Sequence, residues 1–178
     1  MLFSIVAVLV LVTDIATKLW VVATRVDAEP VKLFGGIVYV VHTRNTGAAF
    51  SLASGFTVVL TLLAVGVSIF IVVVARRLAS PGWAVSLGLI LGGALGNLID
   101  RILRDPGPGR GGVVDFISLL DPYDPPWPVF NIADSALVTG VLLAIFLELR
   151  GRRIDGTHAG DAKKQQKPSS RREVTPSE

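Results

Sequence analysis

Phe56-Thr57-Val58-Val59-Leu60-Thr61-Leu62-Leu63-Ala64-Val65-Gly66-Val67-Ser68-Ile69-Phe70-Ile71-Val72-Val73-Val74 is the stretch that decides the fold. Crossing a bilayer takes about 20 mostly apolar residues, and Leu2 to Ala23, Trp83 to Ile102 and Val129 to Leu147 meet the same length. Backbone groups in hydrocarbon must be satisfied within their own segment, so uninterrupted apolar runs of this length imply helices. Composition agrees. The chain is 51% hydrophobic and 17% charged, with a mean hydropathy of +0.62, whereas ordinary soluble domains are roughly 25% charged. The expected architecture is an all-α membrane protein, a four-transmembrane-helix bundle spanning residues 1–150, followed by a basic tail over 151–178.

The first segment reads as a retained helix rather than a removed signal peptide. It has no basic n-region, carries Asp14 and Lys18 within the run, and ends in Ala23-Thr24-Arg25 without a small-x-small cleavage pattern. Asp14 and Lys18 stand at i, i+4 with the acid first, the favourable order for an ion pair on one helical face. On its own that pair reads first as a structural bridge facing the bundle interior.

Positive charge sets the expected orientation. Arg76 and Arg77 occupy the short connection between the second and third segments, and Arg150, Arg152, Arg153, Lys163, Lys164, Lys167, Arg171 and Arg172 follow the fourth. Both termini and that connection are therefore expected in the cytoplasm, with the longer connections, Thr24 to Gly55 and Leu103 to Pro128, facing outward. The polar tail is expected to be disordered, and its basic residues to lie against anionic membrane lipids rather than nucleic acid. No cysteine is present, which removes disulfides and thiol nucleophiles.

The outward connections are too long to be simple turns. Ile37-Val38-Tyr39-Val40-Val41-His42-Thr43, following Gly35-Gly36, is dense in β-branched and aromatic residues and reads as a strand of a small extracytoplasmic β-sheet. After it comes Asn45-Thr46-Gly47-Ala48-Ala49-Phe50-Ser51, which is either a loop re-entering the membrane or a place where small residues bring backbones together around Asn45. Gly88, Gly92 and Gly96 form a small-residue stripe on the third segment, suited to internal packing or to a dimer. At its outward end Asn97, Asp100 and Arg101 lie close together; Asp100 and Arg101 also fit a plain interface anchor.

Two further carboxylates stand among apolar residues, Asp115 in Val113-Val114-Asp115-Phe116-Ile117 and Asp134 in Phe130-Asn131-Ile132-Ala133-Asp134-Ser135. An Asp at the centre of a spanning helix costs roughly 2.5 to 3.5 kcal/mol, so intramembrane carboxylates are functional candidates. At about 1.5 Å per residue, Asp100 lies roughly 3 Å inside the outward end of its helix and Asp134 roughly 8 Å inside the start of the next. Asp115 joins that layer only if its loop folds back at Gly111-Gly112. Two close carboxylates in a low-dielectric site cannot easily both ionise, and one is expected to keep its proton near neutral pH. That is the arrangement of aspartic proteases: the ionised member takes a proton from water while the protonated member supports the carbonyl oxygen and the leaving amine. No metal or cofactor is required. His42 and His158 are the only histidines, His-Glu-x-x-His is absent, and so is Gly-x-Gly-Asp of presenilin-type proteases.

Together with Asp14-x-x-Thr17-Lys18 and Gly96-Asn97-Leu98-Ile99-Asp100-Arg101, these segments resemble the bacterial lipoprotein signal peptidase, signal peptidase II. Five motifs in this order across about 120 residues carry the likeness. The resemblance implies an aspartic endopeptidase of the bacterial cell membrane that removes signal peptides from diacylglyceryl-modified prolipoproteins. It cuts just before the lipidated cysteine, and its site is near the outer face. By motif, Asp115 and Asp134 correspond to the catalytic pair, and Asn45, Gly47, Asn97, Asp100, Arg101, Asn131, Asp14 and Lys18 to substrate-binding or site-supporting positions. The family also has a small outward sheet. Ile15 follows Asp14 where many relatives carry Gln, and the basic tail is longer than in compact members. Intramembrane carboxylates with a lysine also occur in proton-coupled transporters, but no inverted repeat is visible between the two halves of this chain; a non-enzymatic scaffold is the third reading.

Overall fold

The computed structural model describes residues 1–47 and 55–158. The Ala48-Ala49-Phe50-Ser51 run and the tail beyond residue 158 lie outside the described residues.

Four long apolar helices form: α1 (Leu2–Thr24), α2 (Gly55–Ala75), α3 (Pro81–Leu103) and α4 (Ile132–Leu149). Each is long and apolar enough to cross a membrane. The third is the axis of the bundle. Its spanning window is 67% buried, against 17% to 22% in the other three, and α1, α2 and α4 each pack on it. Its glycines explain why. A Cβ at Gly88 would fall 2.8 Å from the Phe3 carbonyl oxygen, and one at Gly92 2.7 Å from that of Ala7. The stripe is therefore spent on α1 within the same chain. On another face Gly93 abuts the Ala133 carbonyl of α4, and Ser86 Oγ donates to the Gly140 carbonyl at 2.7 Å.

Three strands form an antiparallel sheet, ordered β1 (Val31–Leu33), β2 (Val38–Asn45) and β3 (Val113–Leu119). The expected strand over 37–43 corresponds to β2. The loop expected around Asp115 is instead β3, most of it buried. Val114 and Phe116 of β3 pack with Val21 of α1 in a small core. Pairing of Thr43 with Asp115 follows an irregularity in register after Val40. Phe130 then extends the sheet, exchanging hydrogen bonds with Ile117 at 2.8 and 3.1 Å. The fourth helix consequently begins at Ile132 rather than at 129, because Phe130 is paired with β3 and Asn131 is the N-cap.

α1 and α3 run toward the sheet, α2 and α4 away from it. A third difference concerns the first residues of the expected tail. Residues 151–158 fold back over the end of the bundle opposite the sheet: Ala79 and Ser80 N–H groups donate to the Ile154 carbonyl at 2.9 and 3.1 Å, and Trp83 Nε1 to the Arg152 carbonyl at 2.8 Å. Ile154 packs on the apolar core there.

Candidate active site

Asn131 is the N-cap of α4. Its side-chain oxygen accepts from the Asp134 N–H at 2.9 Å, and its own N–H donates to Asp134 Oδ2 at 3.1 Å, completing a capping box. This fixes Asp134 in the first helical turn, shallower than the depth arithmetic from residue 129 placed it. Its other oxygen, Oδ1, accepts from Asn97 Nδ2 at 2.7 Å. The Asn131 amide nitrogen turns the other way and donates to Asp115 Oδ1 at 2.6 Å. Asn131 thus bonds both carboxylates, that of Asp115 through its side chain and that of Asp134 through its backbone N–H.

Asp115 is buried, at 2% exposure, with the Asn45 side chain as a second hydrogen-bonding partner. Removal from water, and next the charge of Asp134, push its carboxyl up to about 7; the bonds from Asn45 and Asn131 oppose that rise. Asn45 is held in turn, because its Oδ1 accepts from the Gly47 N–H at 2.9 Å. Gly47 sits at φ +82°, where a side chain is strained.

Behind the aspartates lies a closed set of charges. Lys18 Nζ pairs with Asp14 Oδ2 at 2.8 Å and Asp100 Oδ2 at 3.0 Å and donates to Asn97 Oδ1 at 3.0 Å. Asp100 Oδ1 pairs with Arg104, and Asp100 Oδ2 also accepts from the Val114 N–H at 3.1 Å, tying β3 to α3. Asp14 Oδ1 accepts from the Ala133 N–H at 2.9 Å and so caps α4 from α1. Two acids and two bases balance each other here, which suits a buried cluster whose members would be costly alone. Arg101 donates to the Asn97 carbonyl at 3.1 Å and lies in the field of Asp134, Asp115 and Asp100.

All ten residues singled out from the sequence therefore fall at the sheet end of the bundle, in two layers. Asn45, Asn97 and Asn131 contact the Asp115–Asp134 pair. Asp14, Lys18 and Asp100 stand one step behind and hold Asn97 and the start of α4. Asp100 does not join the other two carboxylates directly, as the layer argument expected; Lys18 and Arg104 claim it. Arg104 was missed, although its i, i+4 spacing from Asp100 signals the pair.

Two cavities open on the pair. One of ≈ 360 Å³ presents Asp134 and Ser135 beside Leu119, Trp127, Phe130 and Val138. The other, ≈ 230 Å³, presents Asp115 and Asn45 beside Thr43, Arg44 and Pro128. Among the described residues no three His, Cys, Asp or Glu side chains converge as metal ligands. The class defined is a membrane-embedded four-helix protein with paired aspartates under a small sheet.

Comparison with known proteins gives the family. The model of the Signal peptidase (SPase) II family matches residues 6–150. The lipoprotein signal peptidase of Rhodococcus jostii (strain RHA1) is 51% identical over 160 residues, covering 90% of this chain and 78% of that protein. That of Mycobacterium tuberculosis (strain ATCC 25618 / H37Rv) is 50% identical over 155 residues, covering 87% and 74%. A solved bacterial membrane enzyme superposes with a TM-score of 0.71 at 32% identity, covering 82% of this chain and 91% of its own; a second gives 0.69 at 29%, covering 96% and 93%. The chain belongs to the signal peptidase II family and is a membrane peptidase.

Proposed function

We propose that this peptidase is an aspartic endopeptidase that removes signal peptides from diacylglyceryl-modified bacterial prolipoproteins, cutting before the lipidated cysteine, with Asp115 and Asp134 as its dyad. The observation that carries the reading is that Asn131 bonds two unlike carboxylates, Asp115 through its side chain and Asp134 through its backbone N–H. Asp115, pushed up to about 7, holds the shared proton near neutral pH. Asp134 receives only donors, from Asn97 and the Asn131 N–H, and is the base.

In the reaction a water between the two carboxylates gives a proton to Asp134 as its oxygen attacks the scissile carbonyl. Asp115 donates a hydrogen bond to the developing oxyanion. Collapse of the tetrahedral intermediate expels the amine, which takes the proton from Asp134. The apolar cavity at Asp134 suits the signal-peptide side of the bond, and the polar cavity at Asp115 the residues after it. Asn45, Asn97, Asn131 and Arg101 lie within reach of an unwound scissile segment, whose backbone groups need partners away from water. Gly47 keeps Asn45 in place, and Asp14, Lys18 and Asp100 hold Asn97 and α4. The proposed setting is the bacterial cell membrane, with both termini cytoplasmic and the dyad near the outer face.

The test is cleavage of a purified diacylglyceryl-modified prolipoprotein by the detergent-solubilised chain, with the products mapped by mass spectrometry. The expected product begins at the lipidated cysteine. Cutting elsewhere, or no cutting of a substrate processed by another signal peptidase II in the same mixture, contradicts the assignment.

A further inference from the structure

At the end of the bundle away from the aspartates, α2 and α4 both pack on α3 but hardly on each other. The returning segment 151–158 lies over that end, and a cavity of ≈ 570 Å³ remains beneath it. Its apolar wall is Val73 and Val74, on the last turn of α2, with Ile154; its polar rim is Arg77, Arg153, Glu148 and Asp155. Val73 and Val74 belong to a spanning helix, whereas Arg77 and Arg153 lie just beyond it, at the level where lipid headgroups meet the chain.

No salt bridge among the described residues takes up Arg77 or Arg153. Asp155 accepts at Oδ1 from the Thr157 N–H and hydroxyl at 3.0 and 2.7 Å, and Arg153 acts on it through its charge without forming a salt bridge. Arg150 is occupied over the Phe146 ring at 5.0 Å. Arginines outnumber acids around this end, with Arg76, Arg77, Arg150, Arg152 and Arg153 against Glu148 and Asp155. Two guanidiniums beside an apolar wall match a phosphodiester attached to an acyl chain. Glu148 on the same rim disfavours a bare phosphate and offers an acceptor to a hydroxyl donor.

We propose that this cavity binds one anionic phospholipid with a hydroxyl-bearing headgroup. The phosphodiester lies between Arg77 and Arg153, the headgroup hydroxyl on Glu148, and an acyl chain along Val73 and Val74. The site is independent of the dyad.

The test is native mass spectrometry of the full chain titrated with phosphatidylglycerol, with phosphatidylethanolamine of the same chains, and with glycerol phosphate. Wild type is compared with Arg77→Gln/Arg153→Gln and with a control that removes the same charge one residue away, Arg76→Gln/Arg152→Gln. All three proteins are first matched for unfolding temperature in lipid-free detergent. The expected result is one phosphatidylglycerol retained by wild type and control, bound about tenfold or more weakly by Arg77→Gln/Arg153→Gln. Equal loss in both double variants, equal retention of phosphatidylethanolamine, or equal binding of glycerol phosphate overturns the proposal.

Discussion

Asn131 combines three roles: its side chain caps α4 and donates to Asp115, and its backbone N–H bonds the Asp134 carboxylate. Replacement by Asp separates them, since Asp is as good an N-cap as Asn but brings no donor to Asp115 and adds a third negative charge. Asn131→Asp is expected to fold and to lose activity by about a hundredfold or more; Asn131→Ala loses the cap as well, at about 1 kcal/mol. Activity of Asn131→Asp near wild type, at matched unfolding temperature, refutes the bridging role. Asp115 has its own signature. Its folded carboxyl keeps a proton up to about 7, whereas the unfolded one releases it near 4. The contribution of Asp115 to stability is therefore full below about pH 4 and is lost as pH rises toward and through 7. Asp115→Asn never ionises and escapes that decline, so the variant's unfolding temperature should gain several kelvin on wild type between pH 5 and pH 7.5. A difference that does not change with pH means that Asp115 is not the protonated member.

At the scale of elements, α1 and α3 must approach backbone to backbone for Lys18 to reach Asn97 and Asp100. Gly92→Leu drives α1 away from α3, because even a Cβ there meets the Ala7 carbonyl at 2.7 Å. The expected cost is about 1 to 3 kcal/mol, read as a lower unfolding temperature, with activity reduced in the fraction that stays folded. Full activity in Gly92→Leu contradicts this packing account. The helices were legible because hydrocarbon admits little else over such lengths. β3 was not, because it is buried through most of its length and Val113-Val114-Asp115-Phe116-Ile117 lacks the alternation of a half-exposed strand; β1, three residues long, carries even less signal. Asp115 was placed in the right neighbourhood on the wrong element. The start of α4 was read three residues early for a related reason, since apolar Phe130 serves the sheet. Asn131-x-x-Asp134 is itself a capping signature, and read as one it would have located the helix start and paired Asn131 with Asp134.

Among the described residues, the buried charged side chains all lie at one end of the molecule. Asp14, Lys18, Asp100 and Asp115 gather under the sheet, while Thr61, Ser68 and Ser86, deeper in the helices, bond backbone carbonyls. Such a distribution makes a site at one level rather than a relay through the membrane, and it agrees with membership of a peptidase family. The up-and-down course of the helices leaves that level to the ends of α1 and α3, the start of α4 and β3, so the proposed dyad is assembled from parts distant in sequence. The most direct measurement is single-turnover cleavage of a lipidated prolipoprotein by wild type, Asp115→Asn and Asp134→Asn, each shown to unfold cooperatively. Cleavage by wild type and a loss of about 10³-fold or more in both variants is the predicted result; wild-type turnover by either variant would contradict the dyad.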